Sequence, residues 1–359
     1  MVSFKPFTHE TLEDAKKVVR QVFGKGACSI LDKALRNPAL DEVAAPDAGE
    51  VVYSDNFPVG FNAAILRKVY LGQDYFWGIV GSTIAILPEA RKDLVVFDLM
   101  KKIVQPRFGS LLFFGNSANR AGMRINKAFG MQASGPKSCG CMRVAVIRVV
   151  SFALYMLRTK LLKWKPQMEK SVIKRRFPSL LVRGFEIQRF KAFDQRLFDD
   201  FWMQYIQKNE GLVLSRSIAE LKWMFGDEVA SGTAVLCGAL RDGALCGYVI
   251  LANSGSGRCW KLVDMIAMGN DHLILDALLR GSVKILKMTT NAVYARVSGF
   301  QEDIQPVIAK TFPLLRQLDS PKFAWKFQDR NRFSLSVDVM KRPSSWFFGP
   351  YDGDECMSS

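Results

Sequence analysis

A single carboxylate interrupts an apolar stretch in the second half of the chain, where Asp264 lies within Leu262-Val-Asp-Met-Ile266. A carboxylate in such a strand must be hydrogen-bonded, exposed at an opening of the sheet or shifted in pKa, because burial disfavours its charged form. Carboxylates with shifted pKa values recur in catalytic sites. Asp264 is therefore the first candidate for acid–base chemistry.

The segment Met268-Gly-Asn-Asp-His272 joins that strand to a predicted helix. Gly269 and Asn270 could approach a phosphate, because glycine permits close backbone contact and helix N-termini favour anions. A helix cap formed by Asn270 or Asp271 accounts for the same residues and is the favoured interpretation. His272 is more typical of an exposed residue at a helix start than of a general base.

A similar junction occurs in the first half, where Pro88-Glu-Ala-Arg91 leads from a strand into a helix. Arg91 and Lys92 could pair with an anion there, although a solvated basic pair at a helix start fits equally well. Tyr75 and Glu89 lie near the same central strands and carry groups that can donate or accept a proton. The spacing does not select one of them.

The elements that must position these residues follow one order in both halves. The first half predicts strands over 2–7, 50–53, 59–69, 75–87, 111–114 and 142–150, and helices over 11–23, 28–35, 94–103 and 118–129. The second half predicts strands over 185–190, 260–268, 292–297 and 333–339, a hairpin at Asp242-Gly243, and helices over 193–206, from Ser217, over 273–288 and over 304–315. The fold class is therefore α/β (α+β), with two tandem domains that each have a mixed sheet flanked by helices.

A basic connector separates the two predicted domains. We place the N-terminal domain at 1–150, the connector at 151–182, the C-terminal domain at 183–345 and a tail at 346–359. An apolar stripe runs along the connector helix through Val150, Leu154, Leu157, Leu161 and Trp164. Between 151 and 182 there are eight basic residues and one acidic residue. Either the stripe docks on the domains, which is the commoner case, or residues 150–176 lie on an anionic membrane surface.

Charge and cysteine content narrow the class of partner. The 50 Lys and Arg against 34 Asp and Glu give a net charge of +16, which favours anionic ligands. The seven cysteines are scattered without a CxxC pair, so we expect no metal site and no disulfide framework. The first residues lack the pattern of a secretory signal, so we expect a cytoplasmic protein, with peripheral membrane association as the alternative.

Taken together, these elements and four short motifs resemble the GNAT acetyltransferases. In the first half the resemblance rests on Pro88-Glu-Ala-Arg91 and on Asn119-xx-Gly122-xx-Ile125-xxxx-Gly130-Met131. In the second half, Glu220-Leu-Lys-Trp223 and Leu262-Val-Asp264 resemble the C-terminal half of tandem GNAT-like proteins associated with polysaccharide biosynthesis. The resemblance implies an enzyme that transfers an acyl group from acetyl-CoA or another acyl-CoA to an amine acceptor.

The resemblance also implies a set of cofactor-binding residues in the first half. The family's phosphate loop, Arg/Gln-x-x-Gly-x-Gly/Ala, corresponds to Arg91 through Val96, with Leu94 and Val96 where small residues are usual. Asn119 matches the asparagine that contacts the pantetheine arm, and Asn126 stands where the family has a tyrosine acid. The implied cofactor-binding residues are Arg91, Lys92, Asp93, Leu94, Val95, Val96 and Asn119.

Three functions stay open at this point. The first is an N-acyltransferase acting on an amine such as an amino sugar or an aminoacyl group. The second is an aminoacyl transferase that uses charged tRNA, a partner that suits the basic connector. Some enzymes of that class carry a long helical hairpin, which this sequence lacks. The third is a catalytically degenerate protein of the same fold with a membrane or assembly role.

Overall fold

The computed structural model describes residues 2–44, 47–92, 95–105, 110, 112–118, 120–133, 141–161, 179–254, 257–298, 304–317, 322–327 and 346–347. The helices in these ranges are α1 (Leu12–Phe23), α2 (Ser29–Leu35), α3 (Val95–Ile103), α4 (Arg120–Ala128), α5 (Val149–Leu161), α6 (Gln195–Lys208), α7 (Ile218–Ser231), α8 (His272–Thr289) and α9 (Gln305–Thr311).

The strands in the first half of the chain are β1 (Val2–Pro6), β2 (Gly49–Ser54), β3 (Phe57–Leu71), β4 (Asp74–Ile86), β5 (Leu112–Ala118), β6 (Gln132–Ala133) and β7 (Cys141–Val146). Those in the second half are β8 (Leu180–Val182), β9 (Phe185–Phe190), β10 (Leu212–Leu214), β11 (Ala234–Arg241), β12 (Ala244–Asn253), β13 (Cys259–Ala267), β14 (Tyr294–Ser298), β15 (Leu314–Gln317), β16 (Lys322–Phe327) and β17 (Trp346–Phe347). The strand predicted over 333–339 lies outside the described residues.

Local sequence signals account for several boundaries. The hairpin between β11 and β12 turns at Asp242-Gly243, where both residues have positive φ angles of 53° and 78°, as a two-residue hairpin turn requires. Helix α7 begins after Ser217, whose hydroxyl accepts the backbone N–H of Glu220 at 3.4 Å. Asp271 caps α8 by accepting the N–H of Leu273 at 2.7 Å. The cap interpretation of the segment before α8 is therefore confirmed for Asp271.

The strands form two mixed sheets flanked by helices, which confirms the predicted fold class. The first sheet has the order β1-β2-β3-β4-β5-β16-β6, with β10 paired to β3 and β17 paired to β10. The second has the order β15-β7-β14-β13-β12-β11-β9-β8. Most neighbours are antiparallel, whereas β4–β5, β13–β14 and β10–β17 are parallel. The meander, crossover helix and parallel strand thus recur at the same place in each half.

Each half contributes strands to the sheet of the other, and besides β10 and β17, which join the first sheet from the second half, one strand from each half lies inside the opposite sheet. Strand β7, from the first half, lies between β14 and β15 of the second sheet, and β16, from the second half, lies between β5 and β6 of the first sheet. The strand predicted over 142–150 is shorter than expected, because α5 already begins at Val149. It also belongs to the sheet of the second half rather than to that of the first. The exchange crosses the predicted boundary at residue 150, and the domain limits themselves stay predictions.

A continuous apolar core joins the halves. One cluster contains Phe7, Val80 and Phe114 from the first half together with Phe198 and Tyr248 from the second. Two further clusters fill the opposite faces, under α8 in the second sheet and under α3 in the first. The side chains of the two halves are therefore packed as one folding unit rather than as separate globules.

In the described ranges, no helix combines the length and apolar character needed to cross a bilayer.

Candidate functional site

The parallel strands of each sheet separate at their carboxyl ends. Strands β4 and β5 pair only over Gly78–Val80 and Leu112–Phe114, although β4 continues to Ile86 and β5 to Ala118. Strands β13 and β14 pair only over 259–261 and 294–296, although β13 continues to Ala267. Open α/β sheets bind ligands where neighbouring strands diverge, because backbone groups and side chains there face a crevice. Each half therefore presents a candidate site, which we call the first parting and the second parting.

A strained bulge marks the first parting. The register of β3 and β4 shifts so that Asn62 stands opposite Thr83 and Ile84, and Thr83 has a φ of 46°. A β-branched residue in this left-handed region costs about 1–2 kcal/mol relative to extended backbone. Such strain persists where surrounding structure enforces it, and it is concentrated at functional sites. The bulge also interrupts the regular pairing of β3 with β4 at this point.

An unpaired amide oxygen lies beside this bulge. The Asn62 side chain is fully buried, and its Nδ2 donates to the carbonyl of Ser82 at 3.1 Å. Its Oδ1 is buried and accepts no hydrogen bond from any described residue. An unsatisfied buried acceptor costs about 1–3 kcal/mol, so a bound donor would stabilise this arrangement.

Glycines allow the strands to approach before they part. A Cβ atom at Gly81 would lie 2.5 Å from Cζ of Phe113, and one at Gly115 would lie 3.5 Å from the carbonyl oxygen of Gly81. The ring of Phe113 therefore rests directly on the backbone of β4. Larger side chains at Gly81 would push β5 outward or displace this ring.

The predicted phosphate loop lies just beyond the bulge. Residues Pro88–Lys92 form a 3-10 turn, and Arg91 Nε donates to the carbonyl of Ile86 at 3.1 Å, so this side chain is tied to the end of β4. Val95 is buried at the start of α3 and Val96 is half-buried, so both side chains pack toward the core. Lys92 is described for its backbone only; Asp93, Leu94 and Asn119 lie outside the described residues.

Tyr75 and Glu89 occupy opposite ends of β4. Tyr75 is the second residue of the strand, about 16 Å along β4 from the last pair with β5. Its ring lies 5.6 Å from that of Tyr70, and Lys68 Nζ lies 4.8 Å from the Tyr75 centroid. Glu89 is exposed in the turn that follows β4. The structure therefore brings Glu89, but not Tyr75, toward the first parting.

A buried ion pair lies at the bulge of β13 in the second half. Arg216 donates to Asp264 in a bidentate arrangement, with Nε to Oδ2 at 3.0 Å and Nη2 to Oδ1 at 3.1 Å. The Tyr248 hydroxyl donates to Oδ2 at 2.7 Å. Both charged side chains are about 1% exposed. Asp264 therefore meets the requirement that a buried carboxylate be hydrogen-bonded, and its geometry favours a structural role.

A second buried pair connects that region with the first sheet. Arg67 of β3 donates to Glu220 of α7 at 2.8 Å and to the carbonyl of Ser215 at 3.1 Å. Burial raises the pKa of the Glu220 carboxyl, and the positive charge of Arg67 opposes that shift. The Glu220 side chain thus turns away from the N-cap Ser217 toward the other half. The sequence did not indicate Arg67 or Arg216 as candidates, because neither arginine stands at a spacing that is typical of a site.

The turn before α8 is left-handed at two residues. Gly269 has a φ of 61° and Asn270 a φ of 52°, and Asn270 Oδ1 is buried without a hydrogen bond from the described residues. His272 is exposed at the start of α8. The predicted phosphate-binding role of Gly269 and Asn270 stays a prediction, and the acidic cap Asp271 at this N-terminus weakens it.

Within the described ranges, no group of three or more His, Cys, Asp or Glu side chains is arranged to hold a metal ion.

Solved structures share this fold over most of the chain. A GCN5-related N-acetyltransferase from Anabaena variabilis superposes with a TM-score of 0.58 and 12% identity, over 92% of this chain and 73% of that one. N-myristoyltransferase from Saccharomyces cerevisiae, with bound myristoyl-CoA, gives 0.53 and 11%, over 97% and 89%. A tandem GNAT protein from the clavulanic acid biosynthesis pathway gives 0.50 and 12%, over 92% and 100%.

No family model matches the sequence, and no curated protein sequence matches it. The similarity is thus one of fold: two GNAT-type sheets in tandem.

Proposed function

We propose that the protein is an N-acyltransferase that takes an acyl group from acetyl-CoA or another acyl-CoA and transfers it to an amine, with the thioester seated at the first parting. The observation that carries this proposal is the left-handed Thr83 in a bulge where β4 and β5 separate, directly before a strand-to-helix turn. The proteins of similar fold support it, since their names describe N-acetyltransferases and an N-myristoyltransferase with bound myristoyl-CoA.

The chemistry requires the amine to attack the thioester carbonyl, which forms the C–N bond and then breaks the C–S bond, so that the amine nitrogen loses a proton and coenzyme A leaves as the thiolate, which takes up a proton from water. Backbone N–H groups that line the first parting would stabilise the negative oxygen of the intermediate. The unpaired Oδ1 of Asn62 would accept an N–H from the amide-rich pantetheine arm. Glu89 is the carboxylate that follows β4 most closely, so we propose that it acts as the general base and accepts the proton that the amine loses.

The diphosphate would lie at the turn that leads into α3. Arg91 supplies positive charge there, and the first turn of a helix supplies unpaired N–H groups. This arrangement does not need a glycine at position 96, provided that the side chain there packs away from the ligand. The buried Val95 and half-buried Val96 are oriented in this way.

Titration calorimetry with acetyl-CoA tests the proposal, because Gly81→Ala should weaken binding at least about tenfold by moving the Phe113 ring. Gly226→Ala is the matched control, since its Cβ would lie 3.7 Å from Lys222 Cβ, an ordinary contact. Thermal melting of both variants separates a binding defect from unfolding. If the unmodified protein shows no heat of binding at millimolar acetyl-CoA, the proposal is wrong.

The acceptor that we propose is an amine on an amino sugar or an aminoacyl group, as in the polysaccharide-associated proteins that the sequence resembles. Incubation with acetyl-CoA and either glucosamine or an aminoacyl-tRNA, followed by mass spectrometry, distinguishes these classes. A steep salt dependence of RNA binding would favour the tRNA acceptor.

We also infer that α5 docks on an anionic membrane surface. One face of α5 packs on the second sheet, with Phe152 and Tyr155 ring centroids 5.4 and 5.7 Å from Tyr294. The opposite face carries the predicted stripe, with Val150 75%, Leu154 50% and Leu157 51% exposed. The basic residues of the connector follow it in sequence, which is the charge pattern of a helix lying on anionic lipid.

Vesicle flotation tests this docking with phosphatidylserine-containing and with neutral phosphatidylcholine vesicles. Leu154→Glu/Leu157→Glu should abolish flotation with the anionic vesicles, whereas Leu181→Glu, at a leucine 81% exposed on β8, should not. Equal flotation of all variants contradicts the inference, as does flotation with neutral vesicles alone. Dimerisation that the double variant removes would assign the stripe to a second copy of the chain instead.

A further inference from the structure

The ring of Phe113 closes one side of the first parting. Phe113 is the middle of the three residues that β5 aligns with β4, and it packs in the cluster under α3 with only 4% of its surface exposed. A Cβ atom at Gly81 would lie 2.5 Å from Cζ of Phe113. The tip of the ring therefore takes the space that a side chain at position 81 would need.

Two glycines leave room next to this ring. Successive residues of a strand point to opposite faces of the sheet, so Gly115 lies on the same face as Phe113. A Cβ atom at Gly115 would lie 3.5 Å from the carbonyl oxygen of Gly81, which is an ordinary contact, so the position can hold a small group. Gly81 and Gly115 are both half-buried. We call the space over their backbones the glycine trough.

The equivalent positions at the second parting are filled by side chains. Leu262 and Val297 follow the last aligned pair of the second half, as Gly81 and Gly115 follow that of the first. Both Leu262 and Val297 are buried in the cluster under α8. The glycine trough therefore belongs to the first parting, where the thioester is proposed to lie.

An acyl chain bound at the first parting would be directed at Phe113, a step that rests on the proposed function. With the diphosphate at the turn over Pro88–Lys92, the donor runs back along β4, and its acyl end comes nearest to the last residues that β4 and β5 align. The acyl chain continues past the thioester into the glycine trough. Protein interiors are close-packed, so each methylene group added against a fixed ring displaces its neighbours and weakens binding.

We propose that Phe113 limits the donor to a short acyl chain, with the glycine trough holding an acetyl group and the ring excluding a long fatty acyl chain. The trough is narrow, because Gly115 stands at contact distance from the backbone of β4. Its far end is fixed, because Phe113 is buried among the apolar residues under α3. Phe113 thus determines specificity in the proposed transfer and takes no part in the chemistry.

Calorimetry with two thioesters of coenzyme A tests this limit in the full-length protein. Acetyl-CoA and octanoyl-CoA differ only in the acyl chain, and free coenzyme A gives the affinity of the rest of the molecule. We expect octanoyl-CoA to bind at least about tenfold more weakly than acetyl-CoA, because it overfills a packed site. Equal affinity for the two thioesters overturns the inference.

Phe113→Leu tests the ring itself. The shorter side chain should bring the dissociation constant of octanoyl-CoA close to that of acetyl-CoA. Phe114→Leu is the matched control, since it makes the same change at a fully buried ring on the opposite face, in the core shared by the two halves. It should lower the melting temperature but keep the preference for acetyl-CoA. The same shift in both variants, or no shift in Phe113→Leu, overturns the inference.

Gly115→Ala is a second test that leaves the ring in place. Its Cβ would lie at an ordinary contact distance from the Gly81 carbonyl oxygen, so we expect this variant to fold normally. The added methyl group narrows the glycine trough, so acetyl-CoA should bind about tenfold more weakly, whereas free coenzyme A should bind as before. An equal loss for both ligands places the effect outside the acyl group and overturns the inference.

These measurements distinguish failure of the inference from failure of the proposed function. If acetyl-CoA does not bind the unmodified protein at millimolar concentration, the transferase proposal fails and the limit on chain length fails with it. If acetyl-CoA binds but octanoyl-CoA binds equally well, the transferase proposal stands and only the role of Phe113 is wrong.

Discussion

The two partings share a backbone plan but differ in what fills them. Both have a meander, a bulge opposite the preceding strand, a parallel partner aligned over three residues, and a helix that follows. The first is lined by glycines, a strained threonine and an unpaired amide oxygen. Beside the second lie the bidentate pair of Arg216 with Asp264 and the aligned basic residues Lys261 and Arg296. The same backbone arrangement therefore carries different side chains, and so different chemistry, in the two halves.

The difference follows from how the halves are joined. The segment that contains β10 leaves the second half to pair with β3, and it places Arg216 where it reaches Asp264 in the bulge of β13. Among the described residues, no equivalent segment enters the bulge of β4, and Asn62 Oδ1 accepts no hydrogen bond there. We infer that the second bulge serves assembly and that the first is left open for a ligand.

The largest effect should come from cutting the chain between the halves. A fragment of residues 1–150 lacks β16 and β10, and its own β7 loses the sheet in which it pairs. We expect it to lose cooperative unfolding, as measured by circular dichroism during a urea titration. Co-expression with 151–359 should restore a folded complex. A monomeric fragment with a sharp transition would mean that the exchange is dispensable.

Breaking the ion pair of the second parting should have the next largest effect. Asp264→Asn leaves Arg216 buried without its charge partner, which should lower the free energy of unfolding by about 3–5 kcal/mol. Asp271→Asn is the control, since asparagine caps a helix as well as aspartate does, and it should change little. Denaturant titration measures both.

The result also decides the role of Asp264. If Asp264 acts only as an acid or base, its amide variant should keep nearly the stability of the unmodified protein and lose activity. If Asp264 has a structural role, Asp264→Asn should instead lose stability in the first place. Tyr248→Phe should then lower the free energy of unfolding by less, about 1 kcal/mol, because it removes one hydrogen bond to Asp264.

Glycine substitutions in the two bulges should act in opposite directions. Thr83→Gly relieves a left-handed β-branched residue, so we expect the free energy of unfolding to stay the same or to rise by up to about 1 kcal/mol. Val263→Gly removes a fully buried side chain from the second bulge and should cost about 3 kcal/mol. Denaturant titration tests both, and a loss of stability in Thr83→Gly would show that Thr83 is held by packing rather than strained.

Much of the frame could be predicted from the sequence. The periodicity of 59–69 and 75–87 predicted the β3–β4 hairpin, and Asp242-Gly243 predicted the turn between β11 and β12, because local residue types determine these elements. The strand exchange could not be predicted, since hydrophobic alternation in 142–150 indicates a strand and not the sheet that it joins. The strand β16 was missed entirely.

Site residues were harder to predict for the same reason. Asp264 was noticed as an isolated charge in an apolar strand, but its partner Arg216 is distant in sequence and became evident only in three dimensions. Lys261 and Arg296 show the same pattern, a single basic residue within an apolar strand. Searching for isolated basic residues as well as isolated acidic ones would have identified both. Thr83 gave no signal, because strain depends on backbone geometry that residue type does not encode.

The smallest effect that we predict concerns Lys261 and the pH dependence of stability. Its pKa is lowered to about 8 in the folded protein, below the value of about 10.4 expected in the unfolded chain. The unfolded state binds more protons between these values, so stability should rise with pH across this interval. Below pH 8 the full penalty of charging a half-buried lysine is present, and above about pH 10.4 it is absent.

Lys261→Met removes this penalty and keeps much of the side-chain volume. In chloride buffer without phosphate, it should be more stable than the unmodified protein by on the order of 1 kcal/mol at pH 7, and the difference should close toward pH 10. The exposed Lys284→Met is the control and should show no such trend. If the difference in free energy of unfolding is the same at every pH, the ammonium group of Lys261 is solvated in the folded protein and burial does not penalise its charge.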